Sequence, residues 1–357
     1  MQKTEVLIVG AGMAGASLAY FLAPHRQVIV LERESQPGYH ATGRSAALYS
    51  ETYGNAPVRA ITTASKAFYF TPPEGFSPYP LVTPRGSLSV GGNDDRQTLQ
   101  RAFDERKALV PNIEWWTQAD ILQRVPILKP EAAVFGVYEP DAMDMDVHGI
   151  HQGFLRGAKA AGAQVLCDAA VEQIERDGNA WRVKTTAGEF LADVVVNAAG
   201  AWCDELARMA GVTPTGLQPM RRTAFMCDVP AGCDSHAWPM VMDANEGFYL
   251  KPTPACCWCR QPTPIRLSRR TCSLKNWTWP LPWTGWRQRP RCRSAGCSAN
   301  GQACARLWQT RRRLSDLRPM HQVFSGWPGR AAMASRLRPP WVNSAPRWCS
   351  ISRCHRR

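Results

Sequence analysis

The sequence predicts an α/β protein whose first half is Rossmann-like and discontinuous, interleaved with a mostly antiparallel β layer. Three observations predict it. EVLIVGAGMAGASLAYFLAPHRQVIVLERE, at residues 5–34, reads as strand, glycine turn, helix and second strand. Residues from about 50 to 140 are rich in Pro, Gly and aromatics, with short strand-like runs. From Asp146 the strand and helix periods return.

In order, VLIVG is a short apolar strand, and the Ala- and Leu-rich run after the glycines is a helix that leads to a strand ending at Leu31. SLSVGG and AAVFGVYE read as strands of the second layer, with one polar helix around Asp94 to Leu109 between them. HGIHQGFLRGAKAAGA is an amphipathic helix, and AQVLCDAAVEQIERDGNAWRVKTT is strands around an Asp-Gly turn. FLADVVVNAAGAWCDELARMAGV is strand, glycine turn and helix, and TAFMCDV and FYLKP are again strands of the antiparallel layer. The first domain is thus expected at 1–50 and 141–215, and the second at 51–140 and 216–251.

Gly10, Gly12 and Gly15 form GxGxxG at the junction of strand and helix. The first glycine permits the tight turn, the second lets backbone approach a pyrophosphate, and the third lets helix pack on strand. The helix N-terminus offers positive partial charge to phosphates. Glu32 ends the second strand, where a carboxylate can accept the ribose hydroxyls. A dinucleotide is the expected ligand.

GAGMAGAS, LERE, GYHATGRSAALYSETYG, VVNAAGAWCD and FYLKP together resemble the D-amino-acid oxidase-like (DAO) superfamily of FAD enzymes, most closely its bacterial D-amino-acid and D-arginine dehydrogenases. The resemblance covers residues 1–251. It implies FAD as the cofactor, with Gly10, Gly12, Ala14 and Gly15 at the turn and Glu32 and Arg33 at the adenosine ribose. Thr42, Gly43, Arg44, Ser45, Ala46 and Ala47 would wrap the pyrophosphate and flavin. Val171 would face the adenine, and Ala199 and Gly200 would close over the dinucleotide.

The same resemblance implies that Tyr53, Met240 and Tyr249 line the substrate space over the flavin, the two tyrosines holding a substrate carboxylate. Leu48 and Ser87 stand where the arginine-acting branch has His and Glu. A guanidinium leaving water needs a carboxylate partner, so a less cationic D-amino acid is expected. The reaction implied is hydride transfer from substrate Cα to the flavin, and the alternatives on the same fold are a 2-hydroxy-acid oxidase and an N-methyl or glycine-type amine oxidase. His148, His151 and His236 receive no role, since no carboxylate partner is evident.

Composition changes abruptly near residue 252. The 357-residue chain carries a formal charge of +14. Residues 252–357 hold 21 Lys and Arg against one acid, Asp316, a net +20; residues 1–251 hold 22 against 28, a net −6. Nine of 13 cysteines and nine of 14 tryptophans also follow Lys251. No repeat, helical period or strand alternation is sustained there.

A zinc site at Cys256, Cys259 and later cysteines lacks regular ligand spacing, so no metal is expected. A nucleic-acid arm built on Arg311, Arg312 and Arg313 is weighed and not expected either. The preferred reading is a coding sequence out of frame, which the genetic code tests. CCWCRQPT from Cys256 rereads one base back as MLLVSPAN, GQACARLWQ from Gly301 as WAGLRKAM, and VFSGWPGRAAMASRL from Val323 as GFFWLAGQGGYGIQT. One base lost in the Pro252 codon suffices, since KPTPACC then restores to KPDAGMLL. The C-terminal third is accordingly expected to be non-native and disordered, without the family's substrate-binding arginine and glycine-rich turn.

No secretory or membrane-spanning run precedes the fold, and a cytoplasmic location is expected. The expected partner is a small-molecule D-amino acid, with the electron acceptor open.

Overall fold

The computed structural model describes residues 1–222, 224–230 and 232–253, and two further strand segments, 256–260 and 307–310. In chain order the first stretch forms β1 (Gln2–Val9), α1 (Met13–Leu22), β2 (Val28–Leu31), β3 (Leu48–Tyr49), α2 (Ala56–Ala64) and α3 (Lys66–Phe70). Next come β4 (Val82–Pro84), β5 (Ser87–Gly91), α4 (Arg96–Lys107), β6 (Glu114–Thr117), α5 (Gln118–Arg124), β7 (Phe135–Glu139) and β8 (Met143–Met145). Then α6 (Val147–Ala160), β9 (Gln164–Leu166), β10 (Val171–Asp177), β11 (Ala180–Thr185), β12 (Gly188–Asn197) and α7 (Cys203–Met209) follow. The last elements are β13 (Pro219–Arg222), β14 (Ala224–Asp228), β15 (Met240–Asp243), β16 (Tyr249–Pro252), β17 (Cys256–Arg260) and β18 (Leu307–Thr310).

Strand β1 is central to a six-stranded sheet of order β10-β11-β12-β1-β2-β9, parallel from β12 to β9 and antiparallel across β10, β11 and β12. Leu7 and Ile8 are fully buried on opposite faces of β1. That explains why VLIV is continuously apolar instead of alternating. Helix α1 crosses from β1 to β2 and packs on α6, where Gly157 leaves room for the Tyr20 ring. Tyr20, Phe68, Phe76 and Phe154 then form an aromatic cluster with centroids 5.0–6.3 Å apart. At the β10–β11 turn, Gly178 takes φ +58°, a conformation that favours glycine.

The second sheet has seven strands in the order β14-β17-β16-β15-β5-β7-β6, antiparallel except for the parallel pair β15 and β5. One of its faces rests on Leu88, Val241, Leu250, Ile121 and Trp238. Helix α4 covers part of the other through Leu99 against Val137. Smaller sheets, β3-β8-β4 and β13-β18, complete the described strands.

Between residues 50 and 140 the chain also holds α2, α3 and α5, which apolar periodicity does not mark because they are short and mostly exposed. Local caps mark them better. Asn55 accepts the Val58 N–H at 3.2 Å ahead of α2, and Thr117 with Asp120 forms a capping box at α5.

A second difference concerns the segment after Lys251, where no regular structure is expected from pattern. Strand β17, the Cys256–Arg260 run, pairs with both β16 and β14 and is interior to the seven-stranded sheet, and β18 pairs with β13. Ladder pairing uses main-chain N–H and C=O groups, so a strand can form without side-chain alternation where a partner edge stands ready. The rest of the expectation for 252–357 falls on 261–306 and 311–357, outside the described residues. No helix among the described residues is long and apolar enough to cross a membrane.

Candidate active site

The turn between β1 and α1 is built on glycines that nothing else could replace without movement. Gly10 takes φ +106°, donates to Leu31 O at 2.7 Å, and would drive a Cβ into the Ala198 carbonyl. A Cβ on Gly15 would strike the Gly10 carbonyl. Gly12 is the N-cap of α1 and offers no side-chain cap; instead the Thr42 hydroxyl accepts the Met13 N–H at 3.0 Å from a neighbouring loop. Ala14 is the second residue of α1 and half-buried. Glu32, buried at the end of β2, accepts Ala11 N–H at 3.0 Å and Glu34 N–H at 3.1 Å, one on each carboxylate oxygen. Both oxygens retain lone pairs for hydroxyl donors.

Thr42–Arg44 forms a 3-10 turn in which Gly43 donates to Gly38 O at 2.8 Å and the Arg44 guanidinium lies 4.8 Å from the centre of the Tyr39 ring. The buried Ser45 hydroxyl has no hydrogen-bond partner among the described residues. Such an orphan oxygen, a cradle of glycines at the N-terminus of α1 and a buried acceptor at Glu32 together fit a dinucleotide. Arg33 stacks 3.8 Å from the Trp202 ring centre and pairs with Glu34 at 2.9 Å, tying the end of β2 to the Gly200 turn. A hydrogen bond from His40 at 2.7 Å lowers the Glu34 pKa. Val171 and Ala199 border the same apolar cluster as Leu31. Gly200 follows Ala199 with φ +55°.

The substrate side follows from strand register. Met242 pairs with Tyr249 and Ser89, and Met240 pairs with Ser87, which pairs with Glu139. Cross-strand partners, and residues two apart on a strand, share a face. Tyr249, Met240, Met242, Ser87, Ser89 and Glu139 therefore lie on one face. Met240 and Tyr249 form an apolar cluster there with Leu48 and Ala142, and Ala46 and Met242 border it. Two residues assigned to substrate thus meet the loop assigned to the flavin. Tyr53 is not in that cluster; it lies half-buried in the turn between β3 and α2.

Lys251 shares the face with Tyr249, and sequence reasoning passes it over. It is 9% exposed; its ammonium donates to Ala47 O at 2.8 Å and pairs with Asp144 at 3.0 Å. Arg85 holds the other Asp144 oxygen at 2.7 Å and donates to the carbonyls of His236 and Trp238. Burial pushes the Lys251 pKa down, and the Asp144 carboxylate opposes that shift. A lysine inside an otherwise apolar strand, FYLKP, is the signal available in sequence.

His151, given no role from sequence, is buried beneath the glycine turn with its Nε2 2.8 Å from Ala11 O. Burial lowers its pKa, so the neutral ring, as Nε2–H donor to the carbonyl, is the favoured form. His236 enters the site's surroundings only through its backbone carbonyl, which accepts from Arg85. A separate open cleft at the β6 edge of the sheet, lined by Trp115, Trp116, Arg124 and Tyr138, shares no residue with this site.

A family model described as "FAD dependent oxidoreductase" (DAO) matches residues 5–332. The chain is 24% identical over 260 residues to mitochondrial dimethylglycine dehydrogenase of Rattus norvegicus, covering 70% of this chain and 30% of that protein. It is 23% identical over 261 residues to glycine oxidase of Geobacillus kaustophilus, covering 70% of this chain and 67% of that protein. The crystal structure of that glycine oxidase superposes with a TM-score of 0.67 at 22% identity, over 76% of this chain and 75% of that one. A dithionite-reduced L-α-glycerophosphate oxidase from Mycoplasma pneumoniae with FAD bound gives 0.65 at 19% identity, over 74% and 72%.

Proposed function

The chain belongs to the family of FAD-dependent oxidoreductases, and on that premise we propose that residues 1–251 carry the site of a D-amino-acid dehydrogenase or oxidase. The single observation that carries the reading is the apolar cluster in which Met240 and Tyr249 of the sheet meet Leu48 and border Ala46 of the cofactor loop. A substrate seated there lies between the sheet face and the loop.

FAD, when bound, supplies the acceptor for the hydride that leaves the substrate Cα. The chain's residues bind and orient. Gly10, Gly12, Ala14 and Gly15 receive the pyrophosphate at the α1 N-terminus, Glu32 and Arg33 the adenosine ribose, and Thr42 to Ala47 the pyrophosphate and flavin side. Val171 faces the adenine, and Ala199 and Gly200 close over the dinucleotide. Tyr249 and Tyr53 donate phenolic hydrogen bonds to the substrate carboxylate, fixing Cα toward the cofactor, and Met240 floors the space and excludes water. The imino product hydrolyses in water to the keto acid.

An amine oxidase acting on glycine or an N-methylated amino acid is the second reading, favoured by the names of the sequence relatives. A substrate screen on the FAD-loaded, frame-restored protein separates them: dye reduction with D-amino acids supports the first, and turnover confined to glycine, N-methyl amines or 2-hydroxy acids sinks it.

We further propose that the sequence after Lys251 is out of frame and that this impairs the enzyme. Restored text appears in three separate stretches, in family order. The family model's reach to residue 332 weighs against it, as does the interior place of β17. Sequencing the gene across codons 250–258, then comparing flavin absorbance and dye reduction of the chain as given with its frame-restored form, decides the matter. Equal flavin content and turnover in both would overturn the proposal.

A further inference from the structure

Strand β6 ends the order of the seven-stranded sheet, so its far edge has no partner strand among the described residues. The main-chain groups on that edge can be followed one by one. Thr117 N–H turns away from β7 to the Asp120 carboxylate at 2.8 Å, and the Ile113 carbonyl accepts from Lys107 Nζ at 2.9 Å. Residues two apart on a strand turn their N–H and C=O the same way, so Trp115, between these two, presents both to the edge. The rest of the sheet agrees. The Gly86 and Val90 carbonyls accept from Met240 and Ala244, which turns Ser89 toward Val137 and leaves Gly136 and Tyr138 to bond Trp116 and Glu114. Ile113 N–H goes to Val110 O at 3.4 Å, and the Thr117 carbonyl, at the N-cap of α5, accepts the first helical bond. Only the Trp115 N–H and C=O are left on this edge without a described partner.

That edge borders the open cleft, whose volume of about 900 Å³ is within the range of ligand sites. Trp115 lines it on the α4 side, its ring centre 5.9 Å from that of Phe103, and Trp116 lines it on the α5 side, 4.2 Å from Tyr138. Helix α5 packs on the Trp116 and Tyr138 side through Ile121 and Val125. Four charged side chains line the cleft: Lys107, Glu114, Asp120 and Arg124. Three are engaged within the chain, Lys107 by Ile113 O, Asp120 by Thr117, and Glu114 by the Trp116 indole N–H at 2.7 Å. Arg124, exposed in the last turn of α5, has no ion pair or hydrogen bond among the described residues.

We propose that the β6 edge binds a short, extended, acidic peptide segment of a partner protein, which pairs antiparallel with Trp115. A sheet edge with an open donor and acceptor is a place for strand addition. Only the antiparallel arrangement exchanges both bonds with a single residue, and the caps at Ile113 and Thr117 confine the exchange to one residue. The alternation of side chains sets the sequence of the guest. The residue opposite Trp115 turns its side chain to the α4 side, over Trp115 and Phe103, and is apolar. Its two neighbours turn to the α5 side, where Arg124 is the one charged group without a counterpart, and a carboxylate there completes it. The cleft shares no residue with the cofactor and substrate site, so this interaction is independent of the redox reaction.

Ligand-observed NMR titration of the full-length chain with the capped peptide Ac-Glu-Leu-Glu-NH₂ tests this, alongside Ac-Gln-Leu-Gln-NH₂ and the glutamate peptide N-methylated at its leucine. The glutamate peptide is expected to bind with a Kd of about 0.1–1 mM, as suits a few contacts set against the cost of ordering. N-methylation removes the donor that faces the Trp115 carbonyl and should weaken binding about tenfold or more. The glutamine peptide should bind about three- to tenfold more weakly than the glutamate peptide. Arg124→Gln, a change at an exposed side chain, should erase that preference while leaving the affinity for the glutamine peptide within about twofold. Absence of binding at about 5 mM, equal binding of the N-methylated peptide, or a glutamate preference that survives Arg124→Gln overturns the proposal. A chain that sediments as a dimer and binds no peptide gives the edge to a second copy instead, and overturns it as well.

Discussion

Replacing Lys251 with Met should cost stability and loosen the cofactor loop together. The ammonium makes two charge-assisted contacts, to Asp144 at 3.0 Å and Ala47 O at 2.8 Å, with the side chains of Lys251 and Asp144 11% and 17% exposed. Each such contact is worth about 1.5–3 kcal/mol net. Relief of the buried ammonium's desolvation, visible in its lowered pKa, returns part of this, so the expected loss is about 2–4 kcal/mol. Asp144→Asn leaves Lys251 and Arg85 facing each other without an acid and should cost about 3–5 kcal/mol. Because the two residues touch, the double variant should fall short of the sum by about 1.5 kcal/mol or more. Thermal melts should report this at about 2–4 °C per kcal/mol. Leu99→Ala, a buried change on α4 costing about 2–5 kcal/mol, is the control. Lys251→Met should lower FAD affinity well beyond that control. A coupling below about 0.5 kcal/mol, or equal flavin loss in both variants, refutes the reasoning.

Gly15→Ala should abolish stable FAD retention, because its Cβ meets the Gly10 carbonyl and one strand of the turn must move; flavin absorbance after gel filtration reads this directly. Glu32→Gln keeps an acceptor but adds an NH₂ facing Ala11 N–H or Glu34 N–H, and should weaken FAD binding about tenfold, measured by equilibrium dialysis. His151, with its pKa lowered by burial, contributes stability that is complete above the unfolded value of about 6.5 and is lost as pH falls from there toward its lower folded value. The drop in melting temperature from pH 7.5 to 5 should therefore shrink in His151→Gln, and an unchanged drop would assign it to other groups.

The dinucleotide half was the more legible part of the chain because its chemistry is local. The VLIVG strand, three spaced glycines and Glu32 stand within 28 residues, and their positions follow from φ/ψ limits and helix polarity alone. Asn55 and Thr117 carried readable caps, yet α2 and α5 escape an apolar-period search since few of their residues are buried. The substrate face depends on register between β5, β7, β15 and β16, which joins residues 87, 139, 240 and 249. No local pattern encodes such pairing. Lys251 is missed for a related reason: its partners lie on other elements, and a single cation in an apolar strand names none. Strand β17 was hidden because the ladder it joins is written in the main chain.

The Lys251 to Ala47 bond spans 204 residues, and this gives the protein a timetable. A nascent chain completes the glycine turn early, yet the ammonium that ties down the backbone at Ala47 is absent until residue 251 has been synthesised. The fastening of the 42–47 loop is thereby a late event in synthesis, and a chain interrupted upstream of residue 251 lacks it.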